Sequence, residues 1–63
     1  MAIEVEQIIN VPDPEYPDNY GHVDVVVHDT DTDARSTASA EYDHFTSVGD
    51  AEASAIQDAI DKL

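Results

Sequence analysis

The chain has 63 residues and a formal net charge of −13, with fifteen acidic residues against two basic ones and no cysteine. A chain of this length buries only about 60% of its unfolded surface, and without cysteine neither disulfides nor thiolate metal sites can reinforce its core. The charge disfavours direct binding to nucleic acid or to an anionic membrane, because both require Lys or Arg to neutralise phosphates. We therefore expect neither as a partner.

Residues 2–11 are predicted to form the first strand, because apolar and polar side chains alternate along them. The face predicted to be buried is apolar except for Gln7 and carries Ile3, Val5, Ile9 and Val11. The opposite face carries Glu4, Glu6, Ile8 and Asn10. This alternation is typical of a sheet with one buried and one solvated face. Pro12 ends the strand because it has no N–H for the ladder.

Residues 12–21 are predicted to form the longest loop, since they contain all three prolines, with Asn19 and Gly21 as turn residues. Tyr16 and Tyr20 lie in this loop and are two of the four aromatic residues of the chain. Aromatic side chains on a stiff loop suit contact with a protein partner. The alternative is that both rings fold back and cap the open end of the core.

Residues 22–29 are predicted to form the central strand, because valine recurs there with period two. Val23, Val25 and Val27 would share the buried face, and Val26 would lie on the outer face. The acidic turn after this strand has a D-x-D-x-D spacing, which is typical of the start of a calcium loop. Ala34 stands where such a loop needs glycine, so a solvated turn is predicted instead.

Residues 35–45 are predicted to form the third strand and residues 48–63 the only helix. The inner face of the strand carries small alanines, which leave room for a helix to approach. Ser47 is the predicted N-cap, with Asp50 three positions later. Apolar residues then follow the 3-4 spacing of one buried helix face. The positions of this face are Val48, Ala51 or Glu52, Ala55, Ile56, Ala59, Ile60 and Leu63.

These elements predict a single small α+β domain of the order β-β-β-α. Its sheet would have three mostly antiparallel strands, with the C-terminal helix packed on one face. The predicted core draws on all four elements. It comprises Ile3, Val5, Ile9, Val11, Val23, Val25, Val27, Ala38, Ala40, Tyr42, Ile56, Ile60 and Leu63.

The three histidines are the candidates for chemistry near neutral pH. His28 would share the outer face of the sheet with Glu4 and Glu6, where imidazole and carboxylate groups could meet. His22 and His28 lie about 20 Å apart along a strand, so they cannot share one metal ion. No serine has a neighbouring base, and so small a sheet has little room for a substrate pocket. We therefore expect no enzyme activity, no cofactor, no metal and no small-molecule substrate.

The composition points to an environment rather than to a chemistry. Ten of the fifteen acids are Asp, lysine occurs once, and Ala, Val and Thr are frequent. This composition resembles that of proteins from haloarchaea and from the viruses that infect them, although no specific family is indicated. At molar salt the Debye length falls to about 3 Å, which removes most of the self-repulsion of such a chain. The resemblance, with no visible signal peptide, implies a location in the cytoplasm or in a virion of a halophilic host.

The outer sheet face is the predicted interaction surface. Ile8, Val26, Thr37 and Ser39 would form a mildly apolar stripe there, bordered by acids. The candidate partner-binding residues are Tyr16, Tyr20, Ile8 and Val26. The expected function is a non-enzymatic structural or interaction module that self-associates or binds a protein partner, such as a minor capsid or tail accessory protein. The alternative is a free acidic cytoplasmic regulator, or a nucleic-acid mimic, that binds a basic protein.

Overall fold

A computed structural model describes residues 2–63 and has three strands followed by one helix. The elements are β1 (Ile3–Pro12), β2 (Gly21–Asp29), β3 (Ala34–Tyr42) and α1 (Val48–Asp61). All neighbours in the sheet are antiparallel, in the order β1-β2-β3. The α+β architecture predicted from the sequence is therefore confirmed. Within the described residues, no helix is long and apolar enough to cross a membrane.

Most of the predicted boundaries are displaced by one to three residues, the largest displacement being at the end of β3. Pro12 lies within β1 instead of ending the strand before it. β3 ends at Tyr42 and not at residue 45, because the Asp43 carboxylate accepts the backbone N–H groups of Phe45 at 2.8 Å and Thr46 at 3.0 Å and so turns the chain. Gly21 is the first residue of β2 and not a turn residue, and it has no positive φ.

The core lies between α1 and the second and third strands. The most deeply buried valines are Val23, Val25 and Val27, each at most 1% exposed. The helix contributes Ala51, Ala55 and Ala59 to the same cluster, as the predicted helix face requires. Because alanine is small, the helix axis can approach the sheet closely. Ser47 caps the helix as predicted, since its side chain accepts the Asp50 N–H at 3.1 Å.

A β-bulge divides β1 into two segments. Val5 lies opposite Val27 and Gln7 lies opposite Val26, so Glu6 has no partner residue on β2. One extra residue shifts the alternation of every following side chain to the other face of the sheet. Directly opposed residues share a face. The bulge therefore decides which face of β1 carries which apolar side chain.

The predicted faces of the second half of β1 are wrong because of this bulge. Ile8 lies opposite the buried Val25 and so faces the helix side of the sheet. Ile9 lies opposite Asp24 and Val11 opposite His22, which places both on the outer face. Neither belongs to the core.

Other predicted core residues are less buried than expected. The helix barely reaches β1, and Leu63 lies beyond the end of α1. The residues partly buried against the core are Ile3, Ala40, Ile56 and Ile60, together with Val48. Val5 remains 42% exposed and Leu63 38% exposed. The centre of the core is consequently narrow and consists of valine and alanine with Tyr42 at one end.

Tyr42 connects all three strands at that end. It lies opposite Gly21 on β2, is only 6% exposed, and donates its hydroxyl hydrogen to Asn10 Oδ1 on β1 at 2.6 Å. The ring crosses β2 at Gly21, where the absence of a side chain leaves it room. This contact ties the edge strand β1 to the opposite edge strand β3.

Candidate functional site

The edge strand β1 is the most exposed element of the described chain. Nine of its ten residues are exposed, and only Ile3 is partly buried. The helix lies over β2 and β3 and barely reaches β1. The outward edge of β1 pairs with no other strand of the sheet. An exposed strand edge is a template for pairing with another chain. β1 is therefore the candidate interaction site.

The outer face of β1 carries an apolar pair that the sequence pattern assigned to the core. Ile9 is 44% exposed and Val11 38% exposed on this face. Val26, Thr37 and Ser39 lie on the same face, as predicted, and Val26 stands directly opposite Thr37. The observed apolar positions of this face are therefore Ile9, Val11 and Val26. The local sign of the bulge that moved the first two there is the pair of successive polar residues, Glu6 and Gln7, which interrupts the alternation.

The helix side of β1 also presents apolar side chains to solvent. Val5 and Ile8 face this side and are 42% and 44% exposed. Ile8 was predicted to share the outer face with Val26, and the register places the two on opposite faces. Both faces of β1 therefore carry apolar surface that is exposed to solvent in the single chain.

Charged side chains gather on the outer face beside the β2–β3 turn. His28 Nε2 lies 2.7 Å from Asp33 Oδ1, and His28 Nδ1 lies 3.6 Å from Glu4 and 3.8 Å from Glu6. Arg35 donates from Nε to Glu6 Oε2 at 2.9 Å. The predicted meeting of His28 with Glu4 and Glu6 is confirmed. The Arg35 contact holds the bulged Glu6 on this face.

The pKa of the Asp33 carboxyl is lowered from its usual value, first by the hydrogen bond from His28 and then by the nearby Arg35 charge. A group whose pKa is lower in the folded state stabilises the fold above its unfolded pKa of about 3.9. That contribution is lost as the pH falls through the folded pKa. We expect NMR titration to give a lower Asp33 pKa in the folded protein than in the urea-unfolded chain. The His28→Gln variant should show a higher Asp33 pKa than the wild type, and equal values would contradict this assignment.

The acidic turn uses its carboxylates to order backbone. Asp29 is 5% exposed and accepts the Asp31 N–H at 2.9 Å, while Asp31 Oδ2 accepts the Ala2 N–H at 3.1 Å. Asp33 has a φ of 61°, a left-handed conformation that aspartate tolerates. Within residues 2–63, no group of three or more His, Cys, Asp or Glu side chains is arranged to hold a metal ion.

The two loop tyrosines form an aromatic row with His44. Tyr16 and Tyr20 pack edge to face with ring centroids 5.8 Å apart, and Tyr20 packs edge to face on His44 at 5.1 Å. Tyr20 therefore packs on the segment after β3. Tyr16 ends the row and is 61% exposed, so it stays available to a partner.

An open cleft of about 430 Å³ lies between this loop and the adjoining ends of the sheet. Asp13, His22, Glu41 and Asp43 are among its lining residues, and Gly21 and Tyr42 also line it. No serine, threonine, lysine or arginine of residues 2–63 lines it. It therefore offers neither an aliphatic hydroxyl group nor a lysine or arginine that would bind an anion.

Phe45 is an exposed aromatic residue that the sequence pattern placed in a strand. It lies in the turn before α1 and is 95% exposed. The Asp43 carboxylate fixes this turn by accepting the Phe45 N–H, so the ring is held away from the core. Exposed aromatic residues are enriched in protein interfaces. Phe45 is thus a second exposed apolar position, separate from β1.

No protein-family model, no curated protein and no solved structure matches this chain.

Proposed function

We propose that this protein is a non-enzymatic interaction module of a halophilic system and works as a subunit of an oligomer or larger assembly. The observation that carries the proposal is the exposure of β1, which leaves a free strand edge and apolar side chains on both faces. A surface of this kind is covered when another strand adds to the sheet. The contacts would be formed by main-chain hydrogen bonds and alternate side chains.

The halophilic part of the proposal rests on charge. A formal net charge of −13 on 63 residues opposes both folding and association at ordinary ionic strength. The Debye length is about 10 Å at 0.1 M salt and about 3 Å at 1 M, so molar salt screens most of this repulsion. The chain is therefore suited to associate where salt is concentrated.

In its most specific form, the proposal describes a minor capsid or tail accessory protein of a haloarchaeal virus, located in the virion or in the host cytoplasm. A small domain whose edge strand β1 is exposed along its length suits a repeated role between larger subunits. The exposed Tyr16 and Phe45 provide further contact points at the loop end of the sheet.

Light scattering combined with circular dichroism at molar and at low KCl tests the assembly. We expect a folded species of at least twice the chain mass at molar KCl, and dissociation with partial loss of structure at low KCl. A folded monomer at every salt concentration would overturn the proposal. It would favour instead a free acidic regulator or nucleic-acid mimic that binds a basic protein.

Two matched variants assign the association to β1. Ile9→Glu and Thr37→Glu each add one negative charge at an exposed position of the outer face, on opposite edge strands. Only Ile9→Glu should reduce the mass measured at molar KCl. An equal reduction in both variants would show that added charge, and not the β1 surface, controls association.

A further inference from the structure

The hydrogen-bonding direction of each β1 residue follows from one contact at the end of the strand. Asp13 N–H donates to Tyr20 O at 2.9 Å, which continues the register of Pro12 opposite Gly21. In an antiparallel pair, residues alternate between those that bond to the neighbour and those whose backbone groups point away. Ile8 and Asn10 therefore direct their N–H and C=O groups outward, away from β2.

The outward edge is also the least charged stretch of the chain. Residues 7–12 contain no Asp, Glu, Lys, Arg or His, and no other stretch without these residues is as long. The acids that precede it, Glu4 and Glu6, lie close to His28, and Glu6 also pairs with Arg35, the only arginine. The carboxylates that could bind a basic partner therefore lie elsewhere on this molecule. This edge suits a partner whose contact surface is likewise uncharged.

The size of the strand is adequate for a small stable interface. Specific dimers bury about 600 Å² or more on each partner, which is about one-seventh of the 4157 Å² accessible surface of this chain. β1 contains ten residues, nine of them exposed. It is the most exposed element of the described chain and can therefore contribute much of an interface of this size.

From these three observations we propose that β1 pairs antiparallel with β1 of a second copy of this chain, with the two-fold axis at Ile9, so that two sheets join into one of six strands. This inference rests on the proposed function and names the partner. A two-fold axis perpendicular to the sheet keeps each face continuous across the junction. Ile8 then lies opposite Asn10 of the other copy, and their outward N–H and C=O groups exchange hydrogen bonds.

This register matches the side chains on the outer face. Ile9 lies opposite Ile9 of the second copy in a non-hydrogen-bonded pair, where Cα atoms approach to about 4.5 Å. The two exposed isoleucines cover each other. Gln7 lies opposite Val11 of the second copy. Pro12 lacks an N–H donor. It lies outside the two central pairs formed by Ile8 and Asn10 of the two copies, so all of their hydrogen bonds can form.

Cysteine cross-linking of the full chain tests the register, because the wild-type sequence has no cysteine. Disulfides form between Cα atoms about 4.4–6.8 Å apart, which includes the Ile9 pair in this register. Oxidation of Ile9→Cys at molar KCl should give a covalent dimer at least about tenfold faster than Thr37→Cys, an exposed control on β3. Circular dichroism confirms that both variants are folded.

A mixture of two variants gives a second test that distinguishes neighbouring registers. Gln7→Cys and Val11→Cys should form mainly the mixed disulfide, identified by mass. In a dimer of either variant alone, the two cysteines would lie four positions apart along the strands, about 14 Å, which is too far for a disulfide. Predominant dimers of one variant alone would overturn the register.

The outcomes separate this inference from the proposed function. An oligomer at molar KCl in which Ile9→Cys cross-links no faster than Thr37→Cys overturns the β1 pairing and leaves the assembly role standing. A folded monomer at every salt concentration overturns both. An oligomer with rapid Ile9→Cys cross-linking, together with a mixed disulfide between the Gln7→Cys and Val11→Cys variants, supports both the assembly role and the β1 pairing.

Discussion

Replacing Gly21 with alanine is expected to lower the free energy of unfolding by about 2–3 kcal/mol, the sum of overpacking and a lost buried hydrogen bond. A Cβ at this position would lie 2.6 Å from both Tyr42 Cζ and the Val11 carbonyl oxygen and would also contact the Tyr42 hydroxyl. The Val11 oxygen belongs to the backbone and cannot move without distorting β1. The displaced Tyr42 would lose its bond to Asn10.

Gly49 provides the matched control, because alanine at this position should raise the free energy of unfolding instead of lowering it. A Cβ at Gly49 would meet only Ser47 Oγ, at 3.9 Å. Gly49 lies in the first turn of α1, so alanine should stabilise the helix by about 0.5 kcal/mol. Urea unfolding at molar KCl measures both variants. Equal stability of Gly21→Ala and the wild type would show that the crossing of Tyr42 over β2 contributes little.

Replacing Ala55 with leucine is expected to lower the free energy of unfolding by about 2–3 kcal/mol, because overpacking a filled core forces side chains and backbone apart. Ala55 is 0% exposed and lies in the middle of the helix face that touches Val23, Val25 and Val27. Three extra carbon atoms at this point would lift α1 from the sheet. A domain of this size has about 3–5 kcal/mol of stability, so much of it would be lost.

Ala53→Leu is the control for this second substitution. Ala53 lies two positions earlier on the same helix and is exposed. Leucine and alanine both favour helix, so the surface substitution should change stability by less than about 0.5 kcal/mol. The difference between the two variants in urea unfolding isolates the cost of the close helix–sheet contact. A similar loss in both would mean that helix propensity, and not packing, is responsible.

Much of the fold could be predicted because its signals are local. Valines with period two over residues 22–29 indicated the central strand, and the 3-4 spacing of alanine and isoleucine indicated the helix. Ser47 indicated the start of the helix, because its side chain can accept a hydrogen bond from the Asp50 N–H. These properties depend on neighbouring residues, so the amino-acid order alone contains them.

The candidate site could be predicted only in part. The outer face and the position of Val26 on it followed from strand periodicity, whereas the Pro-rich loop left exposure of Tyr16 and folding back of both tyrosine rings as alternatives. Ile9 and Val11 could not be assigned to this face. The successive polar residues Glu6 and Gln7 interrupt the alternation at the bulge, but the same interruption is also consistent with a polar residue on the buried face of a regular strand.

The sequence by itself determined the number and type of the elements, the acidic surface and the valine face of β2, because each depends on composition or on short-range periodicity. The tertiary structure decided the bulge at Glu6, the crossing of Tyr42 over Gly21 and the placement of α1 over two strands only. These depend on pairing register and on steric fit between residues distant in the chain. The uncovered strand β1, which carries the proposed function, is a consequence of that long-range packing.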